Sequence, residues 1–253
     1  MAASVEGKVF IVTGSASGMG LATATLLLAR GARLGLCDIN QDGLSKLVDG
    51  LDVQQKSRVV VREVDITNRS SVASFFELTK ESFGHINGVA NLAGVAGHRL
   101  GHQQIWEIDD REFDFIMDVN VRGIFHILSE GLKPGVLQEP GSIVHAASMF
   151  ADHGFSKGSI YSASKHAGIG MIKSAAIEAG KRGIRVNAVL PGPINTPMLQ
   201  ANEESGAEGT APEVPLGRLG DASEVATVVA FLLSDEAGYI TGASWAVDGG
   251  ANA

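Results

Sequence analysis

The chain has 253 residues, is 45% hydrophobic and carries a formal net charge of −8 at pH 7. That apolar fraction is enough for one large α/β domain or two small ones with an ample core. The acidic balance, without a lysine or arginine run, argues against nucleic acid and anionic membrane as partners.

The N-terminal M-A-A-S-V-E-G-K-V lacks the basic start and apolar core of a secretory leader. No apolar stretch reaches the roughly 20 residues of a membrane span, so the expected setting is cytoplasmic. Residues 8–13 (K-V-F-I-V-T) read as a strand buried on both faces, 20–30 as a helix stopped by Gly31, and 33–37 as a second strand. Cys37, the single cysteine, lies in the apolar run L-G-L-C-D; it reads as a buried strand residue and permits no internal disulfide. A helix over 41–51, a strand over 58–63 and a helix over 70–83 capped by Ser70 follow. Residues 88–91 read as a short fourth strand, 110–132 as a long helix and 141–146 as a fifth strand. A helix over 159–182, a strand over 185–189, a helix over 223–233 and a seventh strand over 243–247 complete the pattern. Alternation of this kind predicts a parallel sheet with helices on both faces and ligands at the carboxyl ends of the strands.

The candidate functional motifs fall at those ends. T-G-S-A-S-G-M-G, from Thr13 to Gly20, joins the first strand to the first helix. Glycines there let backbone approach a pyrophosphate, and the helix N-terminus offers aligned N–H groups. Asp38 ends the second strand. Its carboxylate can accept bonds from ribose hydroxyls and repels a 2′-phosphate, and neither Ser15 nor Ile39 nearby is basic, so NAD is expected over NADP. Asp38 also suits a cap for the following helix. Asp65 and Ile66 end the third strand, where the carboxylate fits either an adenine contact or a turn cap. Asn91, Ala93 and Gly94 lie in N-L-A-G at the end of the fourth strand. Small residues there admit a ribose, and Asn91 serves the cofactor or braces neighbouring strands.

Tyr161 and Lys165 lie four residues apart in Y-S-A-S-K, one helical turn apart on one face, with Ser148 thirteen residues upstream of the tyrosine. A free tyrosine titrates near about 10, too high for a base at neutral pH. Lowering that by about 2 to 3 units needs roughly 3 to 4 kcal/mol. A cation about 4 Å away supplies about 4 kcal/mol at an effective dielectric of about 20. Lys165 is therefore expected to favour the phenolate. Taken singly, Ser148 can be a strand-end cap, Tyr161 a buried tyrosine and Lys165 a solvated charge.

Together these residues resemble the short-chain dehydrogenase/reductase family. The likeness spans Thr13–Gly20, Asp38, Asp65, N-L-A-G, N-V-R-G at Asn120, Ser148, Y-S-A-S-K and P-G-P-I-N-T from Pro191 to Thr196. It implies one Rossmann-like doubly wound domain over residues 1–253 with a seven-stranded parallel sheet, and hydride exchange between an alcohol and a carbonyl using a nicotinamide cofactor. It implies Tyr161 as general acid/base, Lys165 as its pKa-lowering and ribose-binding partner, Ser148 as the donor to the substrate oxygen and Asn120 as holder of a relay water. Cofactor contacts are implied for Gly14, Ser17, Gly18, Met19, Gly20, Asp38, Ile39, Asp65, Ile66, Asn91, Ala93, Gly94, Tyr161, Lys165, Pro191, Gly192, Ile194 and Thr196. Homotetramers or homodimers pairing helices 110–132 and 159–182 are implied too. Met19, Leu92 and Ala147 depart from the usual family residues without touching the catalytic positions.

His98, His102, His126, His145, His153 and His166 are scattered without metal-ligand spacing, so no metal is expected. His102, His153 and Phe155 line a substrate pocket or belong to surface loops. Residues 198–215 read as a lid, within a segment around 196–216. Without a basic clamp, the expected substrate is a neutral, mostly apolar secondary alcohol or ketone. A 3-oxoacyl-thioester reductase is the rival enzyme. A nucleotide-sensing or scaffold protein without chemistry is the rival of another class, and the presence of Ser148, Tyr161 and Lys165 weighs against it.

Overall fold

The computed structural model describes residues 4–211 and 213–253. The chain runs β1 (Val9–Thr13), α1 (Gly18–Ala29), β2 (Arg33–Asp38), α2 (Gln41–Asp49), α3 (Val53–Lys56), β3 (Val59–Glu63), α4 (Arg69–Phe83) and β4 (Gly88–Asn91). It continues with α5 (Asp110–Met117), α6 (Gly123–Gly131), β5 (Gly141–Ala146), α7 (Ser159–Ala179) and β6 (Ile184–Pro191). It ends with β7 (Ile194–Asn195), α8 (Pro197–Glu204), β8 (Gly220–Asp221), α9 (Ala222–Leu233) and β9 (Ser244–Val247).

Seven strands form one sheet in the order β3-β2-β1-β4-β5-β6-β9, every neighbour parallel. The two-residue β7 and β8 make a separate ribbon. The strand order reverses between β1 and β4, and in such sheets the crevice above that switch point receives the ligand.

Side chains alternate along each strand, so one strand feeds two cores. Ile11, Val89, Ile143 and Val186 face Phe75, Phe76, Ile127 and Ile172 of α4, α6 and α7. Phe10, Val12, Val144 and Val189 face Leu27, Val225 and Val229 of α1 and α9. Full burial of a side chain such as Phe10, 0% exposed, contributes about 1.5–3 kcal/mol. This double covering explains why β1 is an unbroken apolar run and holds its carboxyl end rigid.

Most expected boundaries match to within one or two residues. The cap of α4 differs: Asn68, not Ser70, holds it, its Oδ1 accepting from the Ser70 and Ser71 N–H groups at 3.1 and 3.2 Å. Asn and Ser cap about equally well, and Asn68 stands where its oxygen reaches both orphan donors. The helix expected over 41–51 ends at Asp49, and a capping box of Asp52 and Gln55 starts the separate α3. The helix expected over 110–132 is interrupted by a π-helical turn, Asp118–Arg122, between α5 and α6. Such turns concentrate at functional sites, and this one carries Asn120. Among the described residues, no helix is long and apolar enough to cross a membrane.

Candidate active site

The loop between β1 and α1 is locked by backbone contact. Gly14 has φ +67°, and a Cβ there would lie 2.8 Å from the Ala93 nitrogen. A Cβ on Gly20 would lie 1.9 Å from the Gly14 oxygen. Only glycine satisfies both conditions. Ser17 makes no side-chain cap bond and the first turn of α1 carries no acidic residue. The orphan N–H groups of that turn thus lack an intramolecular anion and suit a pyrophosphate.

The neighbouring polar groups divide into braces and cavity walls. The Thr13 hydroxyl donates to Asn91 Oδ1 at 2.7 Å and accepts from the Leu92 and Ala93 N–H groups at 3.1 Å each. Asn91 Nδ2 lies 3.1 Å from His145 Nδ1. Both groups of the Asn91 amide therefore tie β1, β4 and β5 together, and the residue is buried. Asp38 Oδ2 accepts from the Ala16 N–H at 3.0 Å and Oδ1 from the Asn40 N–H at 2.9 Å. The side-chain cap of α2 is Asn40, not Asp38. Ser15 is wholly buried against the Cys37 carbonyl, so only Ile39 of that pair faces the cleft. Asp65 Oδ1 accepts from both the backbone N–H and the hydroxyl of Thr67, a turn cap, while the residue still lines the cleft.

The cleft measures about 290 Å³. Gly14, Ser17, Gly18, Met19, Gly20, Asp38, Ile39, Asp65, Ile66, Ala93, Gly94 and Thr196 all line it. Phe115 and Val119 of the 110–131 helix also line it, and no local signal marked them. A smaller cavity of about 90 Å³ adjoins it through the shared residues Met19, Thr196 and Met198. Ser148, Tyr161, Pro191, Gly192 and Ile194 line this second cavity. A glycine turn, an open helix N-terminus and a carboxylate at the second strand's end fit a dinucleotide running from the first space to the second.

Lys165 and Asn120 stand behind the wall. Lys165 Nζ donates to the Ala146 carbonyl at 3.2 Å and lies 5.6 Å from the centroid of the Tyr161 ring. Asn120 grips Val95 twice, accepting its N–H and donating to its carbonyl at 2.9 Å each, and donates to Ser164 Oγ at 3.1 Å. Ser164 in turn donates to the Tyr161 carbonyl at 2.7 Å. Gly94 lies close to both: a Cβ there would sit 3.2 Å from Asn120 Oδ1 and 3.3 Å from Lys165 Nζ. Ser148 accepts from the Phe150 N–H at 3.2 Å, so it also caps the short turn after β5.

Desolvation acts on both members of the Tyr161–Lys165 pair. Burial holds the Tyr161 phenol above its ordinary range, and the Ser148 hydroxyl beside it pulls the other way. Burial lowers the Lys165 ammonium to about 8. The cost of taking each charge out of water thus opposes the attraction between the pair. His145 is likewise lowered by burial, to about 3, and Lys165 adds to that fall, so the imidazole is neutral at pH 7.

Lys165 has a consequence for stability. Below pH about 8 it is charged in both folded and unfolded chains, and its burial cost counts in full. Between about 8 and its ordinary value near 10.5 the unfolded chain binds more protons, so this group's penalty fades as pH rises. Lys165→Met should therefore stabilise the fold at pH 7 by about 3 kcal/mol, with the gain vanishing towards pH 10.5. Chemical denaturation of both proteins at several pH values measures the gap; a pH-independent gap would refute the assignment.

Met198, Leu199, Asn202 and Thr210 of the segment expected as a lid line the second cavity, and residues 198–204 of that segment belong to α8. Thr196 caps α8. Gly101, in the loop after β4, bonds to the lid segment: its N–H donates to the Lys157 carbonyl and its carbonyl accepts from the Glu208 N–H. Lys157 Nζ pairs with Glu208 at 2.9 Å, and His102 Nε2 lies 3.0 Å from Ser205 Oγ. His102 thus tethers the lid rather than lining the cavity. Phe155 stacks on Phe150 with centroids 3.9 Å apart, and His153 meets the same ring edge-on at 5.3 Å. Both back Phe150, which forms the wall itself. Phe150, Ala96 and Leu100 carried no signal of their own, and Asn202 only its place in the expected lid, because segments distant in the chain bring them together.

A family model described as enoyl-(acyl carrier protein) reductase matches residues 14–252. The short-chain dehydrogenase/reductase aba4 of Botryotinia fuckeliana is 45% identical over 249 residues, covering 96% of each chain. The 3-oxoacyl-[acyl-carrier-protein] reductase FabG of Thermotoga maritima is 36% identical, covering 97% of this chain and 98% of its own. The crystal structure of levodione reductase superposes with a TM-score of 0.87 at 35% identity, covering 96% of both chains.

Proposed function

The chain belongs to the short-chain dehydrogenase/reductase family, and on that footing we propose that it interconverts a secondary alcohol and a ketone with NAD(H). The observation that carries this reading is the joining of two spaces: the cleft of about 290 Å³ beside the glycine turn shares Met19, Thr196 and Met198 with a small cavity walled by Ser148 and Tyr161. When bound, a nicotinamide cofactor supplies or accepts the hydride. The protein's own groups manage the proton and the oxygen charge. Tyr161, protonated at rest, donates to the carbonyl oxygen in reduction and takes the alcohol proton back in oxidation. Ser148 donates a hydrogen bond to that oxygen as charge develops. Lys165 and Asn120 position this end of α7 from behind.

Asp38 favours NAD, because a second negative charge on the ribose would meet a carboxylate already anchored by Ala16 and Asn40. Neither cavity has a lysine or arginine in its wall, which favours a neutral substrate over an acyl-carrier thioester. Exposed Phe113 and Phe125, on α5 and α6, suit the pairing of copies through those helices.

The test is a panel of small secondary alcohols, ketones and 3-oxoacyl thioesters, each assayed by NADH or NADPH absorbance. Turnover of neutral ketones with NADH ahead of NADPH is expected. Turnover confined to acyl thioesters, or none with either cofactor, would overturn the proposal.

A further inference from the structure

The polar side chains around the second cavity are nearly all committed. Ser148 and Tyr161 serve the reacting oxygen. Thr196 donates to the Ile194 carbonyl at 3.2 Å and caps α8. Thr210 Oγ1 lies 3.5 Å from the Ala207 carbonyl. Asn202 remains: it lines the cavity, and among the described residues its side-chain amide makes no hydrogen bond, only its backbone carbonyl accepting from Ser205 and Ala207. Met198, Leu199 and the half-buried Asn202 stand at i, i+1 and i+4 on α8 and line the cavity together.

An unpartnered amide in the wall of a substrate cavity favours a polar atom in the ligand, because a ligand without one covers it and leaves it unpaired. We propose that Asn202 is a specificity-determining residue that hydrogen-bonds a second oxygen of the substrate, so that the preferred substrate is a compact neutral ketone or alcohol bearing a further hydroxyl or oxo group. The inference rests on the alcohol/ketone reading above. The amide both donates and accepts, so it serves either oxygen type. The small cavity limits the carbon skeleton, and the absence of a lining cation disfavours a carboxylate or phosphate as that second group.

The experiment compares cyclohexanone with the same ring carrying a hydroxyl or oxo group, across from the carbonyl or one carbon nearer. The native protein should favour an oxygenated ring by about 10- to 100-fold in kcat/KM. Asn202→Leu and Asn202→Ala should bring that ratio close to one. A merely structural role would loosen the lid and slow all rings together, leaving the ratio unchanged, and that result overturns the inference. Equal turnover of all rings by the native protein also overturns it while sparing the reductase reading. No turnover of any ring removes both.

Discussion

Tyr161→Phe is expected to lower kcat by about 10²- to 10⁴-fold or more while NADH still binds, since general acid/base catalysis is typically worth that much. The substitution removes one hydroxyl and keeps the ring that Phe150 meets edge-on, with centroids 6.5 Å apart. The wall of the cavity therefore survives while the proton donor is lost. Stopped-flow or steady-state absorbance gives kcat, and calorimetric titration with NADH gives binding. Near-native turnover would sink the assignment of Tyr161. The pH profile adds a second check. Because burial keeps the phenol protonated, ketone reduction should persist at neutral pH, and alcohol oxidation should rise as pH increases, since it needs the phenolate.

Asp38→Ala should raise the ratio of NADP to NAD efficiency by about 10- to 100-fold, equivalent to about 1.4–2.8 kcal/mol. Two effects combine. Ribose hydroxyls lose an acceptor, and a 2′-phosphate loses a repelling charge. The same carboxylate holds the Ala16 N–H at the glycine turn, so overall efficiency will fall in the alanine variant. Asp38→Asn keeps an acceptor for that bond and removes only the charge. It should shift the ratio in the same direction with less loss of efficiency. A native protein that already works better with NADP would overturn the preference, and so would an unchanged ratio in both variants.

The glycine turn illustrates how much local pattern carries. T-G-S-A-S-G-M-G followed an apolar run and opened a helix, and the structure gives the reason in backbone contacts of Gly14 and Gly20 that no Cβ tolerates. Y-S-A-S-K likewise placed Tyr161 and Lys165 on one helical face. Asn91 shows the limit. Its position at the end of β4 suited either role, and only the meeting of Thr13 and His145 across three strands showed its amide committed to bracing them.

By itself, the sequence determined the alternation of strands and helices, the parallel sheet, and the order of the residues that gather at its carboxyl ends. These follow from periodicity, short-range turn chemistry and motif spacing, all of which act over a few residues. The tertiary structure decided three other matters. Burial shifts the Tyr161 phenol upward and the Lys165 ammonium downward, because desolvation depends on the whole surroundings of the pair. The π-helical turn at Asn120 locks that side chain onto Val95, twenty-five residues away in the chain. Asn202, Phe150 and Leu100 come to line one cavity, because segments far apart in sequence meet only once the sheet has brought them together.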